Sequence, residues 1–127
     1  MRRGGLLNPA LCAAVAGLRH TDTFVVADCG LPVPRGVPVI DLSLVFGVPR
    51  FEAVLAAILD EIVVDHAVIA AEAVGGEPEG WVRSRIDDVA TIGHEELKKE
   101  VAGASFVVRT GETTSFANVI VSCGVPF

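Results

Sequence analysis

Gly17-Leu18-Arg19-His20-Thr21-Asp22-Thr23-Phe24-Val25-Val26-Ala27-Asp28-Cys29-Gly30-Leu31-Pro32-Val33-Pro34 changes its hydrophobic period twice. Upstream of it, Asn8-Pro9 offers an N-cap with proline at the first helical position. Leu11, Cys12, Val15 and Leu18 then recur at helical spacing, so a short amphipathic helix should stop near Gly17 to Arg19. From Thr23 to Ala27 the chain is apolar and rich in β-branched residues, the signature of a buried strand. That strand runs straight into Asp28-Cys29-Gly30 and a proline-rich loop reaching Gly36. A carboxylate therefore stands at the C-terminal end of a strand, where open α/β sheets bind their ligands.

Outward from this block the alternation continues. Pro38 to Leu42 offers a second short strand, and Gly47-Val48-Pro49 punctuates before a helix over Phe51 to Ile62. Phe51, Val54, Leu55, Ile58 and Ile62 form the apolar face of that helix. His66 to Ala71 reads as a buried strand and Gly75 to Gly80 as a glycine-rich acidic loop. Two helical pieces are predicted next, Trp81 to Ala90 and Gly93 to Val101. The second carries Glu95 and Glu96 in its first turn and lysines later, as the helix dipole prefers. Phe106 to Arg109 and Val119 to Ser122 supply the last strands, with a polar loop from Thr110 to Asn118 between them. Strands alternating with helices predict an α/β layered domain whose sheet is covered on both faces.

Composition sets the bounds. The 127 residues fit one domain over 1–127, large enough to bury roughly two thirds of its unfolded surface. Hydrophobic residues make up 51% and charged residues 20%, greasy enough to expect another subunit against part of the surface. A net charge of -6 without a basic stripe argues against nucleic acid. The longest purely apolar run, Ala53 to Leu59, is far short of a membrane span. Arg2 and Arg3 ahead of Leu11 to Leu18 imitate a short secretory signal, but Asn8-Pro9 reads better as a helix start. Cys12, Cys29 and Cys123 form no C-x-x-C pair, so reduced thiols in a cytoplasm are the simplest expectation.

No P-loop, G-x-G-x-x-G or G-x-S-x-G signature is present. The chemistry must come from polar residues at element ends: His20, Asp22, Asp28, His94 and Asn118. Asp22, two residues from His20, would orient the imidazole if the segment is extended; a turn-forming role is the alternative. Asp28 suits either a ligand contact or an Asx turn. His94 lies at a helix N-terminus, where the dipole favours a neutral ring suited to a hydrogen bond with a ligand; a plain first-turn histidine fits equally. His66 enters an apolar strand and is expected to be a satisfied core or edge residue. The three histidines show no ligand spacing for a metal, and none is expected.

Taken together, Gly17 to Asp22 and Val25 to Pro34 resemble the D-ribose pyranase (RbsD) family. Asp41-Leu42, Gly47-Val48-Pro49, Ala71-Glu72, His94 to Lys98, Arg109 to Glu112, Phe116-Ala117-Asn118 and Gly124 to Phe127 follow in family order. The resemblance spans essentially the whole chain and is weakest around Gly75 to Ala90. Fucose mutarotases share a similar scaffold but differ after the second aspartate. The resemblance implies a three-layer α/β/α domain with a mostly parallel or mixed sheet, and a cytoplasmic ring-shaped homo-oligomer, typically a decamer. It also implies exchange between the pyranose and furanose rings of D-ribose without cofactor or metal. On this likeness His20 is the proton donor, and Asp28, His94, Phe116, Ala117 and Asn118 hold the sugar; the His20-Thr21-Asp22 spacing adds Asp22 as the orienting partner of His20. One departure stands out: Phe116 occupies the place of a family tyrosine, keeping the aromatic face without the hydroxyl. Two alternatives remain open here, a mutarotase of another monosaccharide such as fucose and a non-catalytic sugar-binding accessory protein.

Overall fold

The computed structural model describes residues 1–127. In chain order the elements are α1 (Pro9–Gly17), β1 (Thr23–Ala27), β2 (Val39–Asp41), α2 (Phe51–Leu59), β3 (Val64–Ala70), α3 (Glu77–Arg83), β4 (Val89–Ile92), α4 (His94–Glu100), β5 (Val107–Arg109) and β6 (Val119–Cys123). Asn8 caps α1 as its sequence suggests, its side chain accepting the Leu11 N–H at 3.0 Å. None of the helices is long and apolar enough to cross a membrane.

Six strands form one sheet in the order β2-β5-β1-β6-β3-β4. β1 is parallel to β5, β5 to β2, and β3 to β4, while β6 runs antiparallel between β1 and β3. Five strands thus point one way and β6 the other, a mixed sheet. Alternation along β1 divides the core: Phe24 and Val26 face α1 and α2, whereas Val25 and Ala27 face Leu97 of α4, Val101 and Leu31. Both faces are covered, giving the three-layer α/β arrangement. All five residues of β6 are buried, as a strand flanked on both sides and covered above and below requires. α2 buries Phe51, Val54, Leu55 and Ile58, and truncating Leu55 to alanine would cost about 2–5 kcal/mol.

Two expectations fail. The helix placed over Trp81 to Ala90 lies earlier, at Glu77–Arg83, and ends before Ile86; Val89–Ile92 is instead the edge strand β4. Pro78 in the first turn starts the helix inside what reads as a loop, and the Glu79–Arg83 pair at 3.1 Å supports it. Charges around Val89 hide a strand exposed along one edge. Second, α2 stops at Leu59 with Asp60 as its C-cap, although Ile62 still packs on the core.

Candidate active site

The five parallel strands end at one rim of the sheet, and β6 begins there. Asp28 follows β1, Asp41 closes β2, Glu72 lies just after β3, His94 starts α4 after β4, Arg109 closes β5, and Asn118 precedes β6. Each strand delivers a polar side chain to the carboxyl end where α/β folds place ligands.

At the centre of this rim Asp28 and Asn118 grip each other. The Asp28 N–H donates to Asn118 Oδ1 at 2.9 Å, and Asn118 Nδ2 donates to Asp28 Oδ2 at 3.0 Å. Asn118 is buried, so its amide orientation is fixed by this pair. Asp28 Oδ1 also accepts the Gly30 N–H at 2.9 Å, an Asx turn that opens the proline-rich loop. The Asp28 carboxylate thus makes the Asx turn with one oxygen and holds the Asn118 amide with the other.

Beside this pair, the rings of His94 and Phe116 meet edge to face with centroids 5.1 Å apart. His94 Nδ1 is buried and has no hydrogen-bond partner. A buried unpaired ring nitrogen is costly, and because the atom is closed to solvent a hydroxyl would reach it only with a shift of the ring. Phe116 itself has φ 62°, a left-handed conformation uncommon in a bulky residue and of the kind that collects at functional sites. Its carbonyl accepts the Asn118 N–H at 2.9 Å, so Phe116-Ala117-Asn118 forms a tight bend, with Ala117 fully buried beneath it.

His20 and Asp22 lie at the opposite rim. They occupy the turn before β1, where the Asp22 carboxylate accepts the Arg19 N–H at 2.7 Å and the Asp22 N–H donates to the Arg19 carbonyl at 3.0 Å. The extended segment that would set Asp22 beside the imidazole is a tight turn instead, with Thr21 at φ 71°. His20 is exposed and opens onto a groove of about 800 Å³ lined by Leu18, Ile62, Val63 and the tail Gly124 to Phe127. The length of β1, about 3.3 Å per residue over five residues, separates His20 from Asp28 within one chain. One small ligand cannot touch both. His66 sits at the His20 rim, with Nε2 at 3.1 Å from Ser122 Oγ and Nδ1 at 3.0 Å from Asp65.

Comparison with known proteins gives a consistent answer. The model of the RbsD / FucU transport protein family matches residues 1–126. The chain belongs to this family. It is 67% identical to a D-ribose pyranase of Cutibacterium acnes, with all of both chains covered. Among solved structures it is similar to Bacillus subtilis RbsD complexed with D-ribose, at TM-score 0.95 and 40% identity with both chains fully covered. The fucose mutarotase of Streptococcus pneumoniae, in complex with L-fucose, shares the fold at TM-score 0.80 and 23% identity over 94% of each chain.

Within this RbsD / FucU scaffold, Glu112 has a role that its place in the sequence does not reveal. Glu112 is fully buried and accepts Arg50 Nε at 2.8 Å, the Phe51 N–H at 3.0 Å, and the Thr114 N–H and Oγ1 at 3.2 and 3.0 Å. Burial alone would raise its carboxyl, but the Arg50 guanidinium and these N–H donors outweigh it and hold it at about 2. Glu112 thereby joins the start of α2 to the loop carrying Phe116 and Asn118, and its carbonyl accepts the Cys29 N–H at 2.9 Å. It closes the Arg109 to Glu112 stretch that follows family order, but nothing local shows its role; the only signal for that is an acid in a loop far in sequence from the arginine it meets.

Proposed function

We propose that the chain is a D-ribose pyranase, interconverting the pyranose and furanose forms of D-ribose. The carrying observation is the rim where the Asp28–Asn118 pair lies beside the unpartnered Nδ1 of His94 and the Phe116 ring, in a chain that matches D-ribose pyranases end to end. Asp28 and Asn118 supply an acceptor and an amide for adjacent sugar hydroxyls, and His94 Nδ1 takes another. Phe116 lies against an apolar C–H face, and buried Ala117 leaves room for the ring.

Ring exchange requires no net proton change. The anomeric O–H of the pyranose loses its proton as the C1–O5 bond breaks and O5 gains one, leaving the open-chain aldehyde. O4 then attacks C1 and loses its proton, while the aldehyde oxygen is protonated, giving the furanose. An imidazole titrates near neutral pH, so one histidine serves both directions. His20 is that proton donor, carried on the turn that Asp22 holds. No cofactor enters this scheme.

Because one chain separates His20 from Asp28, the working site joins His20 of one copy to the Asp28 rim of the next. Two features support such head-to-tail docking. The Asp28 rim projects an apolar hairpin with Leu44, Val45 and Phe46 exposed, while the His20 rim presents an apolar groove with Val125 and Phe127 exposed. Contacts between two different surfaces close into a ring when the rotation permits, consistent with a ring-shaped homo-oligomer, a decamer on the family likeness. Unpaired Cys12, Cys29 and Cys123 suit a reducing cytoplasm.

NMR saturation transfer between the anomeric protons of D-ribopyranose and D-ribofuranose tests the proposal. Faster transfer with catalytic protein supports it, and transfer at the buffer rate with folded protein refutes it.

A further inference from the structure

We propose that Glu72 is a positioning residue for sugar binding, its carboxylate fixing the first turn of α4 and through it the aim of the His94 ring. The proposal rests on the role given to His94 above.

β3 and β4 are parallel with Ala70 opposite Ile92, so both strands leave the sheet at the same level. The chain after β3 makes a single tight 3-10 turn, Ala71–Ala73, which turns Glu72 toward the start of α4. Both carboxylate oxygens of Glu72 accept the His94 N–H, at 3.1 and 2.9 Å.

α4 has no local means of supplying that acceptor. Gly93 occupies its N-cap and has no side chain to accept a first-turn N–H. The two acids of its first turn are engaged outward, Glu95 with Lys98 at 2.8 Å and Glu96 with Lys99 at 3.2 Å. With seven residues, α4 is too short to hold its own shape and depends on its anchors. Leu97 and Val101 anchor its buried side, and Glu72 anchors its start.

The ring depends on that start. His94 Nδ1 has no partner, and the edge-to-face contact with Phe116 is apolar. The direction of the free nitrogen therefore follows the backbone that Glu72 holds. Glu72 is exposed and lies outside both core clusters, so removing its carboxylate leaves the packing intact. Without this charge-assisted hydrogen bond the start of α4 samples other positions, and a binding-competent fraction of roughly one tenth raises Kd about tenfold.

The test compares parent, Glu72→Ala, Glu72→Gln, His94→Ala and the Glu72→Ala/His94→Ala double variant. The ribose Kd is read by NMR titration and kcat by saturation transfer. Glu72→Ala should raise Kd about tenfold with kcat within about twofold, and Glu72→Gln, whose amide oxygen still accepts, should recover most of the loss. In the His94→Ala background, Glu72→Ala should add nothing. An unchanged Kd in Glu72→Ala, or the same increment in both backgrounds, overturns the proposal. If His94→Ala itself leaves Kd at the parental value, the sugar-binding role of His94 falls and this proposal falls with it. A parent that binds ribose without accelerating exchange sinks the catalytic function alone, and the Kd comparison still decides the role of Glu72.

Discussion

Asp28 and Asn118, ninety residues apart, hold each other through two reciprocal hydrogen bonds, backbone N–H to amide oxygen at 2.9 Å and amide nitrogen to carboxylate at 3.0 Å. The pair ties the exit of β1 to the entry of β6 and fixes which amide atom each neighbour sees. Asn118→Asp sets carboxylate against carboxylate and removes the donor. It should lower stability by about 1–3 kcal/mol and raise the ribose KM at least tenfold, measured by chemical denaturation and by saturation transfer. A variant with parental KM would remove the pair from the sugar site.

Glu112 makes the fold sensitive to acid. Its carboxyl is held at about 2, below the 4.5 of an unperturbed glutamate, so the ionised form stabilises the folded chain. That contribution is complete above about pH 4.5 and is lost as pH falls from there towards 2, roughly 3 kcal/mol in all. Glu112→Gln should be less stable than the parent at pH 7, and the gap should narrow as the pH is lowered towards 3. Denaturation midpoints across this range check the sign; a gap that widens in acid would contradict it.

Phe116 tests how the aromatic wall is used. Its ring is partly exposed and lies against His94, so a hydroxyl can be added without repacking the core. Phe116→Tyr should leave the melting temperature within a few degrees and raise turnover on ribose about two- to tenfold, the worth of one hydrogen bond. Unchanged or lower turnover would show that this wall is tuned to another sugar.

Gly111 is required by a close approach. A Cβ there would fall 2.6 Å from the Val45 carbonyl oxygen and closer still to that of Val48, and the Gly111 carbonyl accepts the Gly47 N–H at 2.6 Å. Gly111→Ala should therefore detach the exposed Leu44 to Val48 hairpin and weaken self-association, read by sedimentation as a shift to smaller species. Assembly unchanged by the substitution would take the hairpin out of the subunit contact.

Much of this was legible in the residues. Thr23 to Ala27 is a strand and Asp28 its ligand-end carboxylate because apolar β-branched runs and terminal aspartates act locally. α1 is likewise announced by Asn8-Pro9. β4 was missed because an edge strand with exposed Ala90 and Thr91 lacks the apolar run that marks a central one. Its pairing partner is more than twenty residues away. The site divided in the same manner. Asp28, His94 and Asn118 could be named from their places at element ends, but Glu112 and Glu72 act through partners distant in sequence. The separation of His20 from Asp28 was legible too, since the strand Thr23 to Ala27 that lies between them is marked by its own residues.

That separation supplies the most direct test of the central claim, ribose ring exchange at a site built from two copies. His20→Ala and Asn118→Ala each remove one half of the site. Each variant should be inactive alone in saturation transfer on D-ribose while remaining folded and assembled. Unfolded and reassembled together in equal amounts, they should recover roughly a quarter of the parental rate, since a quarter of head-to-tail contacts then pair an intact His20 with an intact Asn118. Mixed assemblies as inactive as either variant would contradict the shared site, and a parent that leaves ribose exchange at the buffer rate would contradict the function itself.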